Sequence, residues 1–229
     1  MALYAIGDFH LALGQDKPMD IFGDKWINHA EKLKASFSAL NEDDVTVLCG
    51  DLSWGMGLDG ALEDFLFINA LPGRKIILKG NHDYWWNTVA KTTRFFAAHG
   101  IDTIDILNNN SYEYGEYAIC GTRGWFYEEA RGEAHDRKIM LREVGRLETS
   151  LKAAGDKTKL VFLHYPPKYL GYECPEILDL LDAYHVPLCC YGHIHSRGCR
   201  SAFQGMYHDT EFRLLSADYI SFCPRRILP

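Results

Sequence analysis

Three times in its first hundred residues this chain repeats one device: a short apolar run, a glycine, one or more polar residues, then an amphipathic segment of helical length. Leu3–Ile6 runs into Gly7-Asp8-Phe9-His10. Val45–Cys49 runs into Gly50-Asp51, and Lys75–Leu78 leads through Lys79 into Gly80-Asn81-His82-Asp83. Short apolar runs bounded by turn residues read as buried strands. The segments between them are predicted as helices over 24–40, 59–69 and 88–99. The first carries Trp26, Ala30, Leu33, Phe37 and Leu40 at steps of three and four. Asp59 stands where it could cap the second, and Gly100 stops the third. This β-α-β-α rhythm makes the chain α/β. It lays strands side by side with their carboxyl ends opening onto one crevice.

The second half is less regular. Strands are predicted over 103–107, 112–114 and 117–120, followed by an exposed loop over 121–132. A charged helix over 134–153 comes next, with Ile139, Val144, Leu147 and Leu151 as its stripe. Strand 159–163 ends at His164, because Pro166-Pro167 forbids continuation. A helix over 175–184 precedes strand 187–191, which ends in Gly192-His193-Ile194-His195, and 202–223 reads as antiparallel hairpins. No linker interrupts the pattern, so one domain over 1–229 is expected. A net charge of −7 argues against a nucleic-acid backbone as partner. No apolar run approaches the roughly 18 residues of a membrane span, and the first ten residues lack a signal peptide's basic region. The seven cysteines form no CxxC pair, and Cys49, Cys120, Cys189 and Cys190 sit inside apolar runs. Free thiols buried in a reducing compartment are expected, and with them a cytoplasmic protein.

Gathering the polar residues at strand ends gives Asp8, His10, Asp51, Asn81, His82, Asp83, His164, His193 and His195. Singly each is ordinary: an isolated histidine is most often a satisfied core or surface residue, and an isolated Asp a helix cap. Together they form an oxygen and nitrogen donor set without sulfur. Asp8 and His10 lie two apart, as do His193 and His195, and in extended backbone such pairs point the same way. Even two of these carboxylates, four of the imidazoles and the amide exceed the needs of one tetrahedral ion. They suit two adjacent divalent ions sharing a carboxylate. Neutral imidazoles leave such a pair a small positive remainder, which attracts a phosphate.

In this order the blocks Gly7-Asp8-Phe9-His10, Gly50-Asp51, Gly80-Asn81-His82-Asp83, His164 and Gly192-His193-Ile194-His195 resemble the calcineurin-like metallophosphoesterases. The resemblance spans residues 7 to 195. It implies a four-layer α/β/β/α sandwich with two mixed sheets packed face to face. It implies that Asp8, His10 and His195 hold a first metal with bridging Asp51, and that Asn81, His164 and His193 hold a second. His82 would face the substrate, with Asp83 steadying its ring. The implied reaction is hydrolysis of a phosphate monoester or diester by a hydroxide bridging the two metals, with manganese, iron or zinc as the ions. The alternative is a metal-binding protein-interaction module on the same fold with little turnover.

Departures narrow the subfamily. Protein serine/threonine phosphatases and symmetrical dinucleoside-tetraphosphate hydrolases resemble one another in a glycine where Leu11 stands, an Arg-Gly block where Leu52-Ser53-Trp54-Gly55 stands, and Glu where Asp83 stands. UDP-diacylglucosamine pyrophosphohydrolases carry arginine in place of His82. A small-molecule phosphate ester or nucleotide is the expected substrate, and protein partners are left unknown. Arg123, Trp125 and Tyr127 in the middle loop, Trp54 and Trp85 beside the ligand blocks, and Arg197 beyond His195 are the candidate substrate contacts, by phosphate pairing or stacking.

Overall fold

The computed structural model describes residues 1–126 and 133–229. The chain forms two compact units. Residues 1–106 and 215–229 make the first, residues 107–214 the second.

The first unit carries the repeated device. Strand β1 is Leu3–Ile6, followed by helix α1 (His29–Phe37), β2 (Val45–Leu48), α2 (Leu62–Ala70), β3 (Arg74–Ile77), α3 (Val89–Ala98) and β4 (Ile104–Ile106). All four strands are parallel, and β1, β2 and β3 align so that Ile6 pairs with Leu48 and Leu48 with Ile77. The residues just past Ile6, Leu48 and Ile77 therefore leave the sheet at the same level, where ligands collect in parallel sheets. Ile6, Leu48 and Ile77 share one core with Leu33 and Phe37 of α1, Phe65 and Ile68 of α2, and Phe96 of α3. Thr88 caps α3, its Oγ1 accepting the Lys91 N–H at 3.3 Å, and Gly100 leaves the helix with φ +67°.

Two helix predictions need correction. The segment expected as one helix over 24–40 is a 3-10 turn (Asp24–Trp26) followed by α1, because Asn28 adopts a left-handed φ of 54° that no continuous helix tolerates. Trp26 still joins the core, which is why its spacing looked helical. Likewise Asp59 opens a 3-10 turn ahead of α2, and no side chain caps that turn.

The second unit contains β5 (Tyr112–Tyr114), β6 (Tyr117–Thr122), helix α4 (Glu133–Ala153), β7 (Thr158–Leu163), a two-residue ribbon β8 (Lys168–Tyr169) and β9 (Tyr172–Glu173), helix α5 (Pro175–Ala183), β10 (Leu188–Tyr191), β11 (Gly205–Tyr207) and β12 (Thr210–Leu214). The sheet order is β11-β12-β10-β7-β6-β5. Strands β6, β7, β10 and β12 run parallel, and an antiparallel partner closes each edge. Leu163 pairs with Tyr191, so the segments beginning at His164 and Gly192 emerge side by side. Val161, Leu163, Cys189 and Tyr191 pack with Met140, Leu147 and Leu151 of α4 and Ile177, Leu178 and Leu181 of α5. Ile139 and Val144, expected in the α4 stripe, pack only partly buried against that core.

The chain then returns to the first unit. Strand β13 (Arg225–Leu228) pairs antiparallel with β1, completing a mixed sheet of order β13-β1-β2-β3-β4. The expected α/β class with two large mixed sheets is met. The C-terminal hairpin expectation holds for β11 and β12, but β12 also pairs in parallel with β10, and β13 was not foreseen. Six cysteines are buried thiols and Cys223 is exposed. Burial pushes Cys120 and Cys190 up to about 12, which makes them inert as nucleophiles. Among the described residues no helix is long and apolar enough to cross a membrane.

A buried amine lies inside the first unit. Lys75 of β3 is fully buried, and its Nζ donates to the carbonyl oxygens of Asn69 (3.3 Å) in the last turn of α2 and of Leu71 and Gly73 (2.7 Å) just after it. Burial lowers its pKa from 10.5 to about 8. Between those values the unfolded chain holds the proton and the folded chain has lost it, so stability rises with pH. Relative to Lys75→Met, the wild type should gain about 3 kcal/mol between pH 8 and 10.5. Denaturant titrations of both proteins across that window check this, and parallel curves would refute it.

Candidate metal centre

In the first unit, backbone hydrogen bonds lace the segment after β1 to the segment after β2. Asp8 N–H donates to Gly50 O, His10 N–H to Asp51 O and Leu11 N–H to Leu52 O, each at 2.9 Å. Asp8, His10 and Asp51 take left-handed φ values of 62°, 47° and 52°. Asp and His are among the side chains that tolerate this region, and single non-glycine residues there cluster at functional sites. The conformation corrects one sequence argument. Asp8 and His10 do not converge by the alternation of a continuous extended strand, since each takes a left-handed φ. The result is compact. A ligand atom of Asp8 lies within 4.8 Å of one on His10 and of one on Asp51, and His10 Nε2 is 3.7 Å from Asp51 Oδ2. All three side chains are buried.

The third block reaches this group through Gly80. A β-carbon there would stand 2.0 Å from Asp51 Oδ1 and 2.2 Å from Asp51 N, so only glycine permits the approach. His82 N–H donates to Asp51 Oδ1 at 2.7 Å, which orients the carboxylate. Asn81 and His82 are half-buried.

Asp83 plays a different part from the one the resemblance implied. Its buried carboxylate accepts five N–H groups: Oδ2 from Asp51 (2.9 Å) and Gly80 (2.7 Å), Oδ1 from Leu52 (2.8 Å), Ser53 (3.3 Å) and the Trp85 indole (2.8 Å). It ties the loop after β2 to the loop after β3 and does not steady the His82 ring. Burial pushes this carboxyl up, and the donors oppose that rise. The ring of His82 has a hydroxyl instead: its Nδ1 lies 3.2 Å from the Tyr84 OH. Nothing in the sequence marked Tyr84 beyond its place two residues after His82.

In the second unit, His164 follows β7 and is fully buried. Its N–H donates to Arg123 O at 3.1 Å, and its carbonyl accepts the Gly192 N–H at 3.1 Å. His193 takes φ 70°, and its ring lies 5.1 Å from that of His164 and 4.5 Å from that of Tyr165. His193 and His195 are half-buried. The unit thus gathers its predicted imidazoles at the ends of β7 and β10.

The aromatic candidates divide. Trp85 is 1% exposed, bonded to Asp83 and packed edge-on against Phe65 at 4.7 Å, so it anchors the core and lines no cleft. Trp125 is 2% exposed, edge-on to Tyr165 at 5.7 Å, and is likewise a packing residue. Trp54 is half-buried, its ring stacked on His10 (5.2 Å, 25°) and 4.5 Å from His82. The Arg123 guanidinium lies 3.3 Å from buried Glu143 and 5.0 Å from the Trp125 ring, already paired within its own unit. Arg197 is exposed on the 3-10 turn Ser196–Ser201. Tyr127 lies outside the described residues.

The first unit's donors fit a divalent cation. Two buried carboxylates within 4.8 Å repel unless a positive charge lies between them, and an imidazole with two carboxylate oxygens suits manganese, iron or zinc.

Two substitutions test these contacts. Asp83→Asn keeps the size but sets an amide's hydrogens against N–H donors, and should destabilise the protein by about 3–5 kcal/mol in denaturant titration. A change under about 1 kcal/mol would show that the carboxylate does not bind the loops together. Tyr84→Phe should leave stability within about 0.5 kcal/mol but change the tautomer ratio of His82 read by nitrogen-15 NMR of the zinc-loaded protein. An unchanged ratio would remove Tyr84 from any role in orienting the ring.

A family model described as calcineurin-like phosphoesterase matches residues 1–197. No curated protein matches the chain. Among solved structures, a protein of unknown function from Aquifex aeolicus is 17% identical with a TM-score of 0.54, over 98% of this chain and 95% of that one. A second, TT1561 of Thermus thermophilus, is 13% identical with a TM-score of 0.56, over 99% and 97%. At such identities these two report the fold alone. The family match, covering most of the chain and all the ligand blocks, is decisive: this chain belongs to the calcineurin-like phosphoesterase family.

Proposed function

We propose that this chain hydrolyses a phosphate monoester or diester of a small molecule or nucleotide, using two metal ions. Asp8, His10, Asp51 and His195 would hold one ion, and Asn81, His164 and His193 the other, with Asp51 shared. The observation that carries this reading is the buried Asp8–His10–Asp51 group on left-handed backbone, in a chain of this family. The donor set favours manganese, iron or zinc over magnesium or calcium. When bound, such ions supply a positive field for the phosphate and acidity to water near neutral pH.

The chain's own groups do the rest. The His82 N–H holds one oxygen of Asp51, leaving the other carboxylate oxygen for coordination. Left-handed turns at Asp8, His10, Asp51 and His193 aim the ligands without relying on side-chain freedom. His82 carries no ligand role. Its imidazole, half-buried and bounded by Trp54 and Tyr84, protonates the departing oxygen. The buried free thiols support a reducing compartment, and so a cytoplasmic setting.

His82 separates this mechanism from simple metal binding. His82→Ala should retain two ions per chain by elemental analysis while kcat falls by roughly 10²–10⁴ for an alkyl phosphate, and much less for a nitrophenyl phosphate whose leaving group needs no proton. Loss of an ion would make His82 a ligand and overturn the scheme. Wild-type protein that binds two ions yet cleaves neither aryl monoesters nor aryl diesters would overturn the enzymatic reading.

A further inference from the structure

The segment after the first ligand block is a loop with fixed points. Leu13 N–H donates to Asp64 Oδ1 at 2.8 Å, Gln15 Nε2 reaches Gly60 O at 3.2 Å, and the Trp54 indole N–H donates to Met19 Sδ at 3.2 Å. Met19 is itself buried. Lys17 stands between the last two anchors. Its Nζ is 2.9 Å from the centre of the Trp54 ring, and that ring centre is 4.5 Å from the ring of His82. The ammonium can therefore be no farther from the His82 ring than those two distances laid end to end. Among the described residues no carboxylate pairs with it. Burial against the ring lowers its pKa from the ordinary lysine value, as for a cation that has shed water without gaining an anion.

A cation resting on an aromatic face is weakly held and sits on a flexible four-carbon stem. With His10 stacked on Trp54 and Lys17 over it, the ring offers little face to a nucleobase, so its use is to hold the cation beside His82. We propose that Lys17 forms a second anion subsite, and that the substrate carries two linked phosphoryl groups, one beside His82 and the next on Lys17. This rests on the phosphoesterase reading above and adds the substrate class to it: a diphosphate, such as a nucleoside diphosphate or its ester. Neighbouring phosphoryl groups share a single bridging oxygen, which matches the short separation between Lys17 and His82. A simple monophosphate would leave Lys17 on its ring.

Calorimetric titration of the zinc-loaded protein with adenosine monophosphate and with adenosine α,β-methylene diphosphate tests this, metal content being measured before and after. The wild type should bind the diphosphate more tightly. Lys17→Met, which keeps the stem over Trp54 and removes the charge, should weaken diphosphate binding by roughly tenfold and monophosphate binding by less than about twofold, with both ions retained. Lys17→Arg should restore most of the difference. Equal weakening for both ligands, or none, would overturn the subsite while leaving the phosphoesterase reading standing. A wild type that holds fewer than two ions and binds neither nucleotide would overturn that reading, and the subsite with it.

Discussion

Five N–H groups from two loops end on the carboxylate of Asp83, and the proposed centre depends on them. Asp51, Leu52 and Ser53 leave β2, whereas Gly80 and Trp85 flank the turn after β3. Parallel strands pair only along their length, so nothing in the sheet itself holds the loops beyond their ends. A buried carboxylate with its acceptor sites filled supplies that link, and it does so where the Gly80 approach leaves no room for error. Trp85 closes the arrangement from below by bonding Asp83 while packing on Phe65. Core and loops are thereby one rigid piece, which is the condition for metal ligands to keep their distances.

Left-handed backbone at Asp8, His10, Asp51 and His193 adds a second kind of rigidity. Each residue sits in a region that disfavours most side chains, and hydrogen bonds between neighbouring loops hold Asp8, His10 and Asp51 there. Strain of this sort is stable only when the surroundings over-determine it. The lacing of Asp8 to Gly50 and of His10 to Asp51 is that over-determination. The ligand geometry is therefore built into the backbone before any cation arrives.

Much of this was legible in the residues. Strand β1 falls where its apolar run placed it and β5 where the turn residues Asn108–Asn110 and Gly115-Glu116 bound it, and most other elements lie within two residues of expectation, because burial in parallel sheets leaves apolar runs. Strand β13 escaped because Arg225-Arg226 at a sheet edge carries no buried pattern, and β8 and β9 because two residues are too few to show a period. The break before α1 escaped because side-chain spacing does not report the left-handed turn at Asn28. At the site, glycine followed by polar residues at strand ends named the donors. Their directions were another matter: an alternation argument assumes extended backbone throughout, whereas Asp8 and His10 each take a left-handed φ. That Trp85 is core, that Tyr84 rather than Asp83 meets the His82 ring, and that Lys17 lies on Trp54 are all set by tertiary packing, which adjacency in sequence does not encode.

Strand β13 has a consequence for how the molecule is made. Its pairing joins Leu3 to Leu228, so one edge of β1 acquires its partner only after the whole second unit has been synthesised. Contacts of such separation slow folding, because the intervening chain must be closed into a loop before they form. Until then β1, the strand that launches Asp8 and His10, presents an open edge to any extended segment nearby. Completion of the first ligand block is thus tied to arrival of the last strand, and a nascent chain halted before β13 carries an aggregation-prone edge that the finished protein covers.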